Sequence, residues 1–531
     1  ENVEQIEIDP ASRSLETILE RQKDVLMRAE GDPAKEAFLI SDFQKSQFDL
    51  DNFSPDSSVS YGLVHLERSS PANLYIDSVW FPTPVRRVGK TENIKIRIVN
   101  RSNEYLEDVP MSLFMNGEKR ALGSFAVDAN ASVDTALSFI HESAGLKGIK
   151  VEIDDYPINY DDAYYLGYNV HERLSVISIN SQESTGQNFP ASVYRVDSTY
   201  AFTSSNLGSL DYATIRKNDL VILNEIKSIP GGLARELKSF VETGGSLWVI
   251  PALEIDRAQY NVFLSQLNAG AYLEKVEQDV KVSSINAESP LYRDVFESVP
   301  RNLDLPTAKA FYPISSPIRS NEDRLLMLPG SRPFLSSYRF GAGQIYLLAA
   351  PLSSEKNNFA RHALFVATAL RIGELSRSTE VLDLKVGAES SFSLPFLSLQ
   401  GDEVFTLRHP ETNFEVIPLF RNIEGRLSIF PGPEAEVAGN YELTAGDSTL
   451  AIVGMNYERN ESDPSSYSRE EIQNTLSKSN VFLLEGESDA LASEVKQRSQ
   501  GTELWKICLI LALFFLLLES IILRFGKRTL A

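Results

Sequence analysis

Carboxylates at two places in this chain could bind a metal ion. Asp42 follows the apolar run 37–40, where a strand is expected to end. Ligands of parallel α/β sheets collect at the carboxyl ends of strands, so a divalent ion such as Mg²⁺ is the chemistry to consider there. One aspartate does not complete an octahedral oxygen shell, and a strand-end Asp that starts a turn is the plainer reading. Ser12 and Ser14 could add hydroxyl oxygens or cap the helix that follows them. The second place is EIDDYPINYDDAYY, residues 152–165, where Asp154, Asp155, Asp161 and Asp162 crowd together. They carry oxygens enough for Ca²⁺ but lack EF-hand spacing, and a solvated strand edge that discourages edge pairing is the expectation.

Nucleophiles are scarce. The single cysteine, Cys508, lies inside the longest apolar run, which excludes disulfides, thiolate zinc sites and a soluble cysteine nucleophile. The apolar runs of the central region are followed by Asn224-Glu225 and Pro251-Ala252, and no GxSxG elbow occurs. His171 and His362 neighbour no nucleophile in sequence, so packing or surface roles are expected. FGAGQ, residues 340–344, leads into a strand and not a helix, so it reads as a hairpin turn and not a phosphate loop.

These residues need elements to position them. Residues 1–71 read as the end of an α/β unit: a helix with Leu15, Ile18, Leu19, Val25 and Leu26 on one face, the strand KEAFLIS, and a strand from 61 to 67. Over 72–170 the period changes to two, with Ile94, Ile96 and Ile98 alternating and a type I′ hairpin signal at Asn116-Gly117. About seven short strands suggest an immunoglobulin-like β-sandwich. Over 171–377 the runs LSVISI, DLVIL, SLWVI and QIYLLAA are continuously apolar, as parallel strands covered on both faces must be. A helix between Pro230 and Gly244-Gly245, with Leu233, Leu237, Phe240 and Val241 as its buried stripe, completes a βαβ unit, and an open parallel sheet is expected. Residues 378–455 form a smaller β domain, and 456–502 read as a polar linker with short helices. Glu1 falls inside what reads as a domain, so a preceding segment is expected.

Residues 504–523 are the best-defined element. Fourteen of the twenty are Leu, Ile or Phe. At about −0.5 kcal/mol each they favour membrane insertion by roughly 7 kcal/mol, more than one Glu near an end opposes. Twenty helical residues rise about 30 Å, the thickness of the hydrocarbon core. A single transmembrane helix over 503–524 is therefore expected, with 525–531 as its tail. Arg524, Lys527 and Arg528 place that tail in the cytoplasm and the acidic bulk on the far side, the periplasm of a bacterium. Glu519 needs either a partner helix or a snorkelling path to the headgroups. A net charge of −22 excludes a nucleic-acid binder, which needs clustered cations.

In order and texture the chain resembles the BatA-type aerotolerance family, membrane proteins with a von Willebrand factor A domain found in Bacteroidota and relatives. KEAFLISDFQKS resembles the A-domain strand ending in its last metal-site aspartate, and SPANLYIDSVWFP its junction with the sandwich. VILNEI, LKSFVETGGSLWVIP and FGAGQIYLLAAPL resemble a glutamine-amidotransferase-like α/β domain, and LWKICLILALFFLLLESIILRFGKR the closing anchor. The resemblance implies a partial von Willebrand A-like unit, with Asp42 as the one metal ligand carried across, and an amidotransferase-like sheet without its cysteine. It also implies a non-enzymatic envelope scaffold in stress tolerance, with sibling A-domain proteins and a MoxR-type AAA ATPase as partners. An envelope hydrolase or amidotransferase-like enzyme with a non-cysteine nucleophile, and an adhesin or carbohydrate-binding surface protein, are the alternatives.

Overall fold

A computed structural model of the chain describes residues 14–526 apart from 29–34, 51–55, 57, 67–71, 84, 182–187, 294, 296–302, 317–320, 353–354, 378–380, 388–389, 396–403, 424–425, 476–480 and 485–503. The chain is mostly β, in several sheets, and divides into two compact units: 12–73 with 459–531, and 74–458. The second is thus an insertion into the first.

In the outer unit, helix α1 (Leu15–Arg28) buries Leu15 and Leu19 against Ala37 and Leu39 of β1 (Glu36–Ser41). Strand β1 runs parallel to β2 (Ser60–His65), pairing Glu36 with Ser60 through Ser41 with His65. The stretch 456–502, expected to be a linker with short helices, also supplies a strand. Val481–Leu484 pairs parallel with β2 on its other side, Tyr61 opposite Val481 and Val64 opposite Leu484. Four apolar residues are too short a run to show a period, so only pairing reveals them as a strand. The helix Arg469–Thr475 adds Ile472 to the same core. Its start is a reciprocal capping box: Glu471 N–H donates to Ser468 Oγ at 3.2 Å and Ser468 N–H to a Glu471 carboxylate oxygen at 2.7 Å.

The inserted unit opens with the seven strands that alternation predicts: β3 (Leu74–Trp80), β4 (Thr91–Asn100), β5 (Leu106–Met115), β6 (Glu118–Val127), β7 (Ser132–Ile140), β8 (Gly145–Glu152) and β9 (Ala163–Val170). They form two sheets, β3-β4-β7 and β6-β5-β8-β9. The isoleucines at 94, 96 and 98 are fully buried between them, and Asn116 and Gly117 both take positive φ at the β5–β6 turn.

Next come β10 (Leu174–Asn180), β11 (Tyr200–Asn206), β12 (Leu220–Ile226) and β13 (Ser246–Pro251). With Gly343–Leu348 they make a parallel sheet in the order β11-β10-β12-β13-(343–348). The expectation of an open parallel sheet holds for these five strands only, since three antiparallel strands extend it: Arg332–Phe340, Glu322–Leu328 and Ser284–Ile285. The reversal is made at Gly341, whose φ is 57° and where a Cβ would lie 2.6 Å from the Glu242 carbonyl oxygen. Helices α2 (Phe189–Tyr194), α3 (Gly231–Glu242), α4 (Arg257–Gln266) and α5 (Ala363–Leu375) accompany the sheet. Helix α3 buries Leu233, Leu237, Phe240 and Val241, the stripe its sequence predicts, and ends at Gly244 with φ 116°.

The last module has a five-stranded and a three-stranded sheet, and its longest strand, Ser448–Asn456, lies against β9. Backbone meets backbone there. A Cβ on Gly167 would sit 1.7 Å from the Ile452 carbonyl oxygen, and one on Gly454 would sit 2.1 Å from that of Tyr165. Gly167 and Leu382 exchange both backbone hydrogen bonds, at 2.9 and 2.7 Å. Asn456 does the same to Tyr165 with its side chain, accepting from the N–H at 2.7 Å and donating to the carbonyl at 2.9 Å. A strap from the sandwich ties in the α/β module: Val85 joins that module's core and Arg87 pairs with Glu374 of α5.

Gly167→Ala is therefore expected to destabilise the inserted unit by about 3 kcal/mol, the upper end for a forced overpacking. A matched Ala at an open glycine such as Gly231 is expected to leave the thermal midpoint nearly unchanged; equal midpoints for the two variants would refute the close contact.

Candidate functional site

The parallel sheet offers one conventional binding place. Strand β10 lies between β11 and β12, so the chain order reverses at its carboxyl end, and crevices of open α/β sheets form at such switch points. Two of the strands end there in asparagine, Asn180 and Asn206, and β12 carries Asn224 two residues before its end. Asn180 and Asn224 are buried and bonded to each other. Asn180 Oδ1 accepts from Asn224 Nδ2 at 2.9 Å, Asn188 Nδ2 at 3.1 Å and Ser178 Oγ at 3.2 Å. Its Nδ2 donates to Ser204 Oγ at 3.0 Å and to the Ser178 carbonyl at 3.1 Å. Asn188 in turn caps α2, accepting from Ala191 N–H at 3.0 Å. The amides thus hydrogen-bond one another across the switch point.

The neighbouring strand end is held the same way. Glu225 takes a φ of 53°, the sort of strained posture that carries a nucleophile in strand-to-helix elbows. Here the side chain is a carboxylate, and it accepts from Leu352 N–H at 2.7 Å. Tyr260, Tyr312 and Tyr272 donate to the carbonyls of Ile226, Leu253 and Leu348 at 2.7, 2.8 and 2.7 Å. Burial raises all three phenols, so they stay neutral donors. An edge built of amides, neutral phenols and a bonded carboxylate can hold a shape and recognise polar groups. Acid–base catalysis near neutral pH needs a side chain that titrates there. Residues 182–187 and 353–354, which follow β10 and Gly343–Leu348, lie outside the described residues.

The residues singled out by sequence are scattered. Asp42 follows β1, half-buried in the outer unit, and among the described residues no group of three or more His, Cys, Asp or Glu could hold a metal. Ser14 is a helix cap, accepting from Thr17 N–H at 3.4 Å, and Ser12 lies outside the described residues. His362 caps α5 through Nδ1, which accepts from Leu364 N–H at 3.1 Å. Burial, with Arg377 nearby, pushes His171 down to about 4. Cys508 and Glu519 lie exposed on the apolar helix Leu504–Gly526. The helix is long and apolar enough to cross a membrane, and none of its window 505–523 is buried.

The acidic loop after β8 is not a solvated edge. Asp161 and Asp162 are buried because this loop anchors the start of the inserted unit. Asp155 accepts from Leu74 N–H at 2.8 Å, Asp162 accepts from Asp155 N–H at 3.1 Å, and Ile76 N–H donates to the Asp161 carbonyl at 3.3 Å. Burial, reinforced by Asp161 and Asp155, pushes the Asp162 carboxyl up to about 7.

At the other edge of the sheet lies a crevice of about 1090 Å³, lined by residues at the amino ends of β12 and β13, by the sandwich's Leu146 and Tyr168, and by Leu382 and Arg426 of the last module. No motif marks it, since it exists only where the three modules meet. The amide network has a faint signal, the repeated Asn after apolar runs.

No family model and no curated protein matches the sequence. Among solved structures, the chain is similar to a cytoplasmic protein of Salmonella typhimurium, at 12% identity and a TM-score of 0.31 over 39% of this chain and 99% of that one. A ThuA-like protein from Bacteroides uniformis gives 15%, 0.30, 42% and 95% for the same measures. The CARDB domain of a Pyrococcus furiosus protein gives 12%, 0.17, 19% and 94%.

Two outcomes are expected. Asn180→Ala leaves the Asn224 and Asn188 donors buried without their acceptor, at about 1–3 kcal/mol for each stranded group, readable in the thermal midpoint. Asp162 has a folded pKa above its unfolded value of 3.8. Its contribution to stability is therefore full below about pH 4 and lost as the pH rises through about 7. Asp162→Asn is expected to match wild type at pH 4 and to melt higher than wild type at pH 8; a midpoint difference independent of pH would contradict this.

Proposed function

We propose that this chain is a non-enzymatic scaffold anchored in the inner membrane by its C-terminal helix, with its bulk in the periplasm and its C-terminus in the cytoplasm. In this reading the outer unit is a partial von Willebrand A-like fold. The inserted unit is an immunoglobulin-like sandwich, a glutamine-amidotransferase-like sheet and a small β domain. It binds other envelope proteins, with sibling A-domain proteins and a MoxR-type ATPase as the partners the family resemblance implies. Fold alone assigns no reaction, so the argument rests on the site.

The observation that carries the reading is the amide network at the switch point. Asn180, Asn188 and Asn224 bond to one another where an enzyme of this sheet type would hold its substrate. Glu225, in the posture of a nucleophile, is bonded to the backbone of Leu352. Hydrogen bonds of this kind stabilise the sheet's edge and suit a module that offers partners a fixed surface.

Crosslinking and pulldown of the full-length protein from native membranes tests the scaffold, with recovery of sibling A-domain proteins or an ATPase expected. Labelling of the protein by a fluorophosphonate probe would instead reveal an activated hydroxyl and overturn the non-enzymatic reading. Glu519→Leu is expected to leave membrane insertion intact and to lower co-purification of partner helices in mild detergent, since a lone carboxylate in hydrocarbon gains most from a neighbouring helix. Unchanged co-purification would remove that role for Glu519.

A further inference from the structure

We propose that the crevice where the three modules of the inserted unit meet is a docking groove for an acidic peptide segment of a partner protein. It deepens the scaffold reading and rests on it only in assuming a protein partner.

The first observation is electrostatic. The chain has 73 Asp and Glu against 51 Lys and Arg, yet among the described residues the charged side chains lining the crevice are four arginines and two aspartates: Arg216, Arg339, Arg377, Arg426, Asp219 and Asp323. Both aspartates are already occupied. Asp219 accepts from Ser175 N–H at 2.7 Å and from Arg377 at 3.0 Å, and Asp323 accepts from Asn286 Nδ2 at 3.0 Å. Arg339 is exposed and makes no ion pair among the described residues. Arg216, paired with Glu236 at 3.0 Å, keeps 61% of its side chain exposed. A guanidinium fork matches a carboxylate bidentately, and a basic cleft in an acidic surface draws anionic partners while the surroundings repel them.

The polarity of the sheet would work against this if nothing offset it. The carboxyl ends of α3 and α5 open on this edge, and helix carboxyl ends carry partial negative charge. That charge is met locally. Thr243 Oγ1 donates to the carbonyls of Ser239 and Phe240 at 3.0 and 3.1 Å, Ser376 Oγ donates to that of Gly373 at 2.7 Å, and Arg377 follows directly. Arg339 therefore faces the crevice with its charge available.

Size and layout select the occupant. About 1090 Å³ is at or beyond the upper end for small-ligand pockets, about 300–1,000 Å³. The arginines come from two modules, and Leu146, Leu291 and Leu394 line the same crevice, which suits an extended chain with spaced carboxylates and aliphatic residues. Four arginines in a chain of net charge −22 are too few for a nucleic acid, whose binding requires many phosphate contacts.

The test uses the full-length protein in nanodiscs and a fluorescein-labelled polyglutamate peptide, read by anisotropy. Saturable binding that weakens with added salt is expected, at least about tenfold weaker for Arg339→Glu. Ala342→Trp, which plugs the crevice without changing charge, is expected to abolish it. Equal binding by both variants and wild type, equal binding of a Gly/Ser peptide, or displacement by oligothymidylate at lower concentration than by unlabelled polyglutamate would each overturn the groove. If polyglutamate fails to bind while envelope partners still co-purify with wild type and with Arg339→Glu, the groove is lost and the scaffold stands. If the peptide binds but no partner is recovered from membranes, the scaffold reading fails and the groove survives it.

Discussion

The inserted unit depends on one close approach of backbone to backbone. At Gly167 and Gly454 two strands from modules far apart in sequence come nearer than any side chain permits, and Asn456 completes the contact by bonding both polar groups of Tyr165. Interiors pack too densely to yield by a methyl group without strain, so this contact locks the sandwich against the last module. The α/β sheet between them in sequence is then held to the sandwich by the Arg87–Glu374 pair and Val85. The crevice exists because the three modules are fixed in this way.

The two edges of the sheet have opposite characters for the same reason. Parallel strands put loops and helix amino ends at the carboxyl edge, where binding sites of such sheets form. Here that edge is stitched by amides and by neutral phenols that burial keeps protonated. The amino edge, usually unused, faces two other modules, and there Arg426 of the last module joins the α/β module's own Arg216, Arg339 and Arg377.

Several elements were legible in the sequence because their signals are local. Alternation at 94, 96 and 98 named the sandwich, the positive-φ pair at Asn116 and Gly117 its hairpin, and the stripe of α3 its buried face. The acidic loop was misjudged because four aspartates in fourteen residues read as solvated. The burial of Asp161 and Asp162 follows from a strand about 80 positions earlier, Leu74 onward, which needs acceptors for its first N–H groups. Val481–Leu484 was missed because a four-residue strand is defined by its partner, β2, and by nothing within itself.

By itself the sequence determined the apolar helix near its end, the lack of a cysteine outside that helix, the acidic balance, and the alternation of β and α/β modules. Each depends on residue type and short-range period, which no partner can alter. The tertiary structure alone decided that the outer unit is split by a 74–458 insertion, that Asn180 meets Asn224, and that arginines of separate modules share one crevice. Those are contacts between distant positions, and a chain acquires them only when packing and hydrogen bonding choose among many possible pairings.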